Sequence, residues 1–235
     1  MKKPFIPLVA SLLLGASTVH AAQLDIQITN LTRGSWFTPL LVTAHPAGTA
    51  LFTAGQVASI SLQTMAEGGD IAPLAADLAG LNATTVENPA GGLLAPGATV
   101  TTSLDTDDAP DNTLLSIVAM ILPSNDGFMG LNAIEIPQSP GTYVYNVNAY
   151  DAGTEANDEV IGSGAPGEPG FPAPPPVAEA SGTGGTGVAT VSEGFVHIHR
   201  NVLGDTDPEG GVSDIDSTVH RWLNPVVRIV LTVSN

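Results

Sequence analysis

The alternation of apolar and polar residues predicts most of the regular structure of this chain. Residues 24–30 and 142–147 alternate strictly, which is typical of strands with one buried face. Residues 113–122 are almost wholly apolar and end at Pro123, so they predict a strand buried on both faces. Further strands are predicted over residues 99–102, 193–200 and 225–233.

Helical spacing appears in two short segments only. Residues 59–67 carry apolar side chains at helical intervals and end at two glycines, and residues 74–81 form a second short candidate. Residues 162–187 are dominated by glycine, proline, alanine and serine, which predicts a mobile insertion loop that buries little. The pattern therefore predicts an all-β fold, an antiparallel sandwich with one or two short helices and a Gly/Pro-rich insertion loop.

The first 21 residues are typical of a secretory signal peptide. Lys2 and Lys3 precede an apolar stretch over residues 5–16, and a cut after Ala21 has small or apolar residues at the required positions. A membrane anchor is disfavoured, because the stretch is shorter than the roughly 20 residues of a spanning helix. We expect a secreted or periplasmic protein whose single domain covers residues 22–235.

The strongly negative net charge limits the kinds of partner that the protein can bind. The chain has a formal net charge of −17, and loss of the signal peptide removes its only two lysines, leaving four arginines against 23 acidic residues, a net charge of −19. Such a surface repels nucleic acid and attracts cations. The chain has no cysteine, so its stability does not rest on disulfides and its N-terminus is not lipidated.

Two acidic loops follow predicted strands. Asp126 lies in the turn after the buried strand, while Asp151 and Glu155 follow the strand over residues 142–147. Loops at one end of a sandwich can meet there, and their carboxylates repel one another unless a cation lies between them. Calcium suits such loops because it takes six to eight oxygens in flexible geometry. The alternative is a solvated acidic turn.

A set of short segments in a fixed order resembles the spondin N-terminal domain family in its bacterial form. The segments are residues 30–36, 44–46, 52–59, 65–68, 123–130, 150–155 and 222–228. The resemblance implies a C2-like β-sandwich that binds one calcium ion through Asp126, Asp151 and Glu155. The glutamate at position 155 departs from the aspartate of the animal proteins, and its longer arm still reaches.

Two further constellations remain as alternatives. Asp205 to Asp216 places acids near the positions of an EF-hand calcium loop, although a strand pattern precedes it and a solvated loop is favoured. His197 and His199 lie two apart in a predicted strand and face the same side. Together with His45 they would form a zinc or copper site, as in a metalloenzyme. Nothing in the sequence places His45 near the pair.

We therefore expect a calcium-binding module for cell adhesion or extracellular binding, not an enzyme. The expected partners are calcium and an extracellular protein or polysaccharide, with no nucleic acid and no membrane span. The alternatives are a metalloenzyme that uses His45, His197 and His199, and a purely structural envelope protein whose acidic residues keep it soluble.

Overall fold

The computed structural model describes residues 22–234, so the predicted signal peptide lies outside the described residues. In this part of the chain, no helix has the length and apolar character needed to cross a bilayer. The described residues form thirteen strands and three short helices.

The strands of the first half are β1 (Gln23–Asn30), β2 (Trp36–Phe37), β3 (Leu41–His45), β4 (Thr84–Glu87), β5 (Thr99–Asp105), β6 (Leu114–Leu122) and β7 (Gly127–Glu135). Those of the second half are β8 (Gly141–Val147), β9 (Ala149–Asp151), β10 (Ile161–Gly162), β11 (Phe171–Pro172), β12 (His197–Ile198) and β13 (Val227–Ser234). The helices are α1 (Ile60–Gly68), α2 (Ala72–Ala79) and α3 (Pro175–Ala178).

Two antiparallel sheets form the sandwich. The first has the strand order β5-β1-β13-β8, and the second has the order β12-β9-β7-β6-β3-β4 with β2 paired to β6. Alternate residues of β1 and β13, such as Ile26 and Ile229, are fully buried and belong to one continuous apolar core. The prediction of an all-β antiparallel sandwich is confirmed.

Strand β6 is buried along almost its whole length because the second sheet is covered on both faces. Helix α1 packs against β6 and β7, with Leu62 and Met65 fully buried. The Ser59 hydroxyl accepts the backbone N–H of Leu62 at 3.1 Å, and Gly69 ends the helix with a φ of +72°. Both predicted helices are present, with bounds shifted by one or two residues.

The Gly/Pro-rich segment differs from its prediction. It contains the short parallel pair β10–β11 and the helix α3, and it buries Phe171 and Val177 completely. The N–H of Gly167 also donates to the buried Glu67 carboxylate of α1 at 2.6 Å. Most of the segment is exposed or half-buried, as its composition predicts, but Phe171 of β11 is completely buried and β11 contacts α1.

Strand pairing also departs from the pattern in places. The strand predicted over residues 193–200 is reduced to the two residues of β12, since only these pair with β9. Strands β3, β4 and β7 were not predicted. Their residues do not alternate clearly, because β3 is buried on both faces and β7 changes from buried to exposed along its length.

We expect Phe171→Ala to lower the free energy of unfolding by about 3–5 kcal/mol, the usual cost of removing a buried phenylalanine. Val191→Ala serves as the control, because Val191 is 75% exposed and its truncation should change stability by about 0.5 kcal/mol or less. Urea denaturation of both variants measures the difference. Equal stability of the two variants would show that the segment does not contribute to the core.

Candidate metal centre

Three neighbouring strands bring the candidate residues to one edge of the second sheet. Asp151 ends β9, where it pairs with Gly127 of β7 on one side and with His197 of β12 on the other. Asp126 lies in the turn just before β7, and Glu155 lies in the loop after β9. The antiparallel register therefore places the two predicted acidic loops beside each other.

Asp126 is fully buried and uses only one of its carboxylate oxygens. Its Oδ2 accepts the N–H groups of Thr154 at 2.7 Å and Glu155 at 3.1 Å. Its Oδ1 is buried and has no hydrogen-bond partner among residues 22–234. Burial, together with the neighbouring charge of Asp151, raises the pKa of Asp126 well above its usual range.

Glu155 has the same arrangement of one bonded and one free oxygen. Its Oε1 accepts the side-chain amide of Asn125 at 2.8 Å and the N–H of Gly170 at 2.6 Å. Its Oε2 is buried and finds no donor within the described chain. Burial raises the pKa of Glu155 to about 7, so the carboxyl holds its proton more tightly than an exposed glutamate does.

Asp151 stands between the acidic loops and the histidines. Its Oδ1 accepts the N–H of Gly153 at 2.8 Å, and its Oδ2 accepts the side-chain amide of Asn157 at 2.9 Å. The same two oxygens face His197 Nε2 at 3.5 Å and His199 Nε2 at 4.0 Å, respectively. Asp151 is thus oriented by two donors while both of its oxygens face an imidazole nitrogen.

Gly153 allows the histidine segment to approach Asp151. It has a φ of +68°, and a Cβ at this position would overlap the backbone of Phe195. Its carbonyl accepts the N–H of Gly194 at 2.8 Å, and this bond holds residues 193–197 against the loop that follows β9. Glu193 is carried with them, and its Oε2 lies 3.9 Å from His197 Nε2.

The ligand atoms of Asp151, Glu193 and His197 all lie within 4.8 Å of one another. Glu193 was not predicted, because a single acid between a serine and a glycine carries no sequence signal. The pairing of His197 with Asp151 depends on strand register, which the sequence pattern does not contain. The His-x-His spacing of residues 197–199 is the one sequence signal for this site. It predicts His45 as the third ligand, whereas the structure places Asp151 and Glu193 beside His197.

The oxygen atoms around Asp126 can be compared with the oxygen ligands that calcium prefers. This carboxylate and that of Glu155 each present a buried oxygen that lacks a donor in the described part of the chain. The charges of Asp151 and Glu155 both act on Asp126. Buried carboxylate oxygens without donors are groups that a hard divalent cation can bind. Among the described residues, however, the three candidate ligands found within 4.8 Å of one another are Asp151, Glu193 and His197, which include only Asp151 of the predicted calcium ligands.

His45 does not belong to this centre. It lies on β3, and strands β6, β7 and β9 separate β3 from β12 in the sheet. Its Nε2 is 2.8 Å from the Ser116 hydroxyl, and its side chain is buried in the sheet. The predicted three-histidine site is therefore wrong, because the strand order keeps His45 several strand spacings away from His197.

The EF-hand-like loop uses its carboxylates to cap its own backbone. Asp205 accepts the N–H groups of Asp207, Val212 and Ser213 at 2.8–3.0 Å. These hydrogen bonds lower the pKa of Asp205. Asp216 likewise accepts the N–H of Thr218. A second calcium site in this loop stays a prediction.

A family model described as Spondin_N matches residues 29–169, which is more than half of the chain. This confirms the family resemblance found in the sequence. The matched range includes Asp126, Asp151 and Glu155, and it ends before Glu193, His197 and His199. No curated protein matches the chain.

The raised pKa of Glu155 gives a testable pH dependence. The folded chain keeps this proton up to about pH 7, while the unfolded chain releases it near 4.5. Between these values the folded state binds more protons, so the Glu155 contribution to stability falls as pH rises. In EDTA, the unfolding free energy of Glu155→Gln minus that of wild type should therefore increase as the pH rises from 4.5 to 7.

Urea denaturation of both proteins across this pH range measures the effect. Comparing the two proteins removes the opposing contribution of His199, whose pKa is lowered to about 4 by burial. A constant stability difference from pH 4.5 to 7 would contradict the raised pKa of Glu155.

Proposed function

Because the chain belongs to the Spondin_N family, we propose that it is a secreted or periplasmic binding module whose fold is completed by a calcium ion. The proposed ligands are Asp126, Asp151 and Glu155. The role is binding to an extracellular protein or polysaccharide, as in cell adhesion, and it is not catalysis.

The free Oδ1 of Asp126 is the observation that carries this proposal. Its residue is fully buried, and within residues 22–234 this oxygen has no donor. A buried charged oxygen without a partner costs several kcal/mol, and folded proteins rarely keep one. A cation beside Asp126 and Asp151 removes that cost and also the repulsion between the two carboxylates.

Calcium would supply positive charge at the point where two loops meet. The loop after β9 is already tied to the turn before β7, because Thr154 and Glu155 donate their N–H groups to Asp126 and Ala152 donates to its carbonyl. These bonds hold the carboxylates in place before the ion binds. Ion binding therefore adds to the stability of the native state alone.

The surface beside this centre supports a binding role. Residues 195–203 expose three large apolar side chains, which are Phe195 (44% exposed), Ile198 (46%) and Leu203 (61%). Exposed apolar side chains that lie close together in the chain are candidates for a contact surface. A cation that fixes the acidic loops would also fix this surface.

A thermal melt with and without calcium tests the proposal. We expect the wild-type protein in excess calcium to melt several degrees above the protein in EDTA, since an ion at 100 times its Kd adds about 2.7 kcal/mol. Asp126→Asn should abolish this calcium-dependent rise, because it removes the charge of the free oxygen while keeping the shape of the side chain.

Glu135→Gln is the matched control, since Glu135 is an exposed acid on β7. This variant loses the same charge and should keep the full calcium-dependent rise. A wild-type melt that is identical in EDTA and calcium would contradict the proposal and favour a purely structural envelope protein. A rise lost in both variants would reduce the effect to nonspecific charge screening.

A further inference from the structure

We infer that Asp151, Glu193 and His197 form a second, separate cation site that takes a divalent transition-metal ion, with zinc as the reference ion. This site lies on the histidine side of Asp151, at the β12 edge of the second sheet. It does not depend on the proposed calcium ion, although both sites use Asp151.

The backbone fixes the tautomer of His197. Its Nδ1 lies 3.0 Å from the carbonyl oxygen of Ile198, and since a carbonyl can only accept, Nδ1 carries the hydrogen. In the neutral ring Nε2 then has a free lone pair, which points at the carboxylates of Asp151 and Glu193. A backbone carbonyl that orients the far side of a ligating histidine is a common feature of metal sites.

The distances around His197 match a tetrahedral ion better than a direct ion pair. Nε2 is 3.5 Å from Asp151 Oδ1 and 3.9 Å from Glu193 Oε2, and neither contact counts as a hydrogen bond. Zinc bonds of about 2.0–2.2 Å place neighbouring tetrahedral ligands roughly 3.3–3.6 Å apart. One ion between the three groups would therefore need only small side-chain movements.

Buried polar atoms without partners cluster at this end of the molecule. In the described part of the chain five such atoms occur, and they are Asp126 Oδ1, Glu155 Oε2, Glu193 Oε2, His197 Nε2 and His199 Nε2. The first two are oxygens on the proposed calcium side of Asp151. The other three belong to the histidine segment. Two of them, Glu193 Oε2 and His197 Nε2, can accept a cation, which indicates a second binding point there.

His199 is a positioning residue and not a ligand. Its Nδ1 accepts the N–H of Asn201 at 2.9 Å, so in the neutral ring the hydrogen is on Nε2. The Nε2–H group is aimed at Asp151 Oδ2 from 4.0 Å, and the His199 side chain is almost completely buried.

The ligand set selects the class of metal. One imidazole nitrogen with two carboxylate oxygens suits zinc and related transition-metal ions, whereas calcium and magnesium prefer oxygen alone. A cleft of about 330 Å³ opens beside Asp151, Glu193 and His199 and also contacts Arg200. The cleft exposes Asp151 and Glu193 to solvent, although His197 does not line it. A set of three protein ligands leaves the fourth zinc position open to water.

Zinc titration of the purified full chain by isothermal calorimetry tests this site, with cobalt absorption as a second readout. We expect one zinc ion to bind to wild type. His197→Gln and Glu193→Gln should each weaken zinc binding at least tenfold and should remove the visible bands of tetrahedral cobalt. Both variants should keep the calcium-dependent rise in melting temperature, which shows that they fold.

Asp126→Asn distinguishes this site from the proposed calcium site. It should lose the calcium effect while its zinc affinity stays within a few-fold of wild type. Unchanged zinc affinity in His197→Gln and Glu193→Gln would overturn the assignment. So would a loss of zinc binding in Asp126→Asn alone, because that result would place zinc among the calcium ligands. Absence of a calcium effect in wild type, with zinc binding as expected, would refute only the proposed function.

Discussion

Hydrogen bonds from backbone N–H groups to buried carboxylates hold the irregular part of this protein together. The Glu159 side chain accepts from Leu203 and Gly204 at 2.6 and 2.8 Å, and Asp214 accepts from Gly185 and Ile161 at 2.8 Å each. Residues 152–226 contain few paired strands, so these bonds replace the ladders that order the two sheets. The acidic composition of the chain is thus part of its folding and not only of its solubility.

The same interaction explains why carboxylate oxygens without donors occur at one end of the sandwich. Lysine is absent from the described residues, and the one arginine–carboxylate contact among them is Arg200 with Glu193, at 3.8 Å. Buried carboxylates are therefore balanced mainly by N–H groups. Where loops from β7, β9 and β12 meet, Asp126, Glu155 and Glu193 each keep one oxygen that no described donor reaches. Either protonation, which the raised pKa values of Asp126 and Glu155 favour, or a bound metal ion would balance these oxygens.

The sequence pattern predicted those features that depend on neighbouring residues. The alternation in β1 and β13, the Ser59 cap and Gly69 end of α1, and the acidic turns after β6 and β9 are all local. Strand register and strand order are not local, and they decide which distant side chains meet. They placed His197 opposite Asp151 and kept His45 away from both, and a single glycine, Gly153, brought Glu193 into the centre.

The burial of the Gly/Pro-rich segment shows the same limit. Its composition predicted little packing, and most of it is exposed or half-buried. Phe171 and Val177 are nevertheless completely buried, β11 contacts α1, and Gly167 and Gly170 donate to Glu67 and Glu155. Composition describes how much a segment can bury on average. It does not show which individual side chains of the segment are buried, or that Gly167 bonds to Glu67, a hundred positions earlier.

An anomalous difference map from crystals grown in calcium tests the central claim most directly. The account predicts a calcium peak about 2.3–2.6 Å from Asp126 Oδ1, with Asp151 in the same coordination shell. A map without a peak there, in which Asp126 Oδ1 instead accepts a hydrogen bond from water or a protein N–H group, would contradict it.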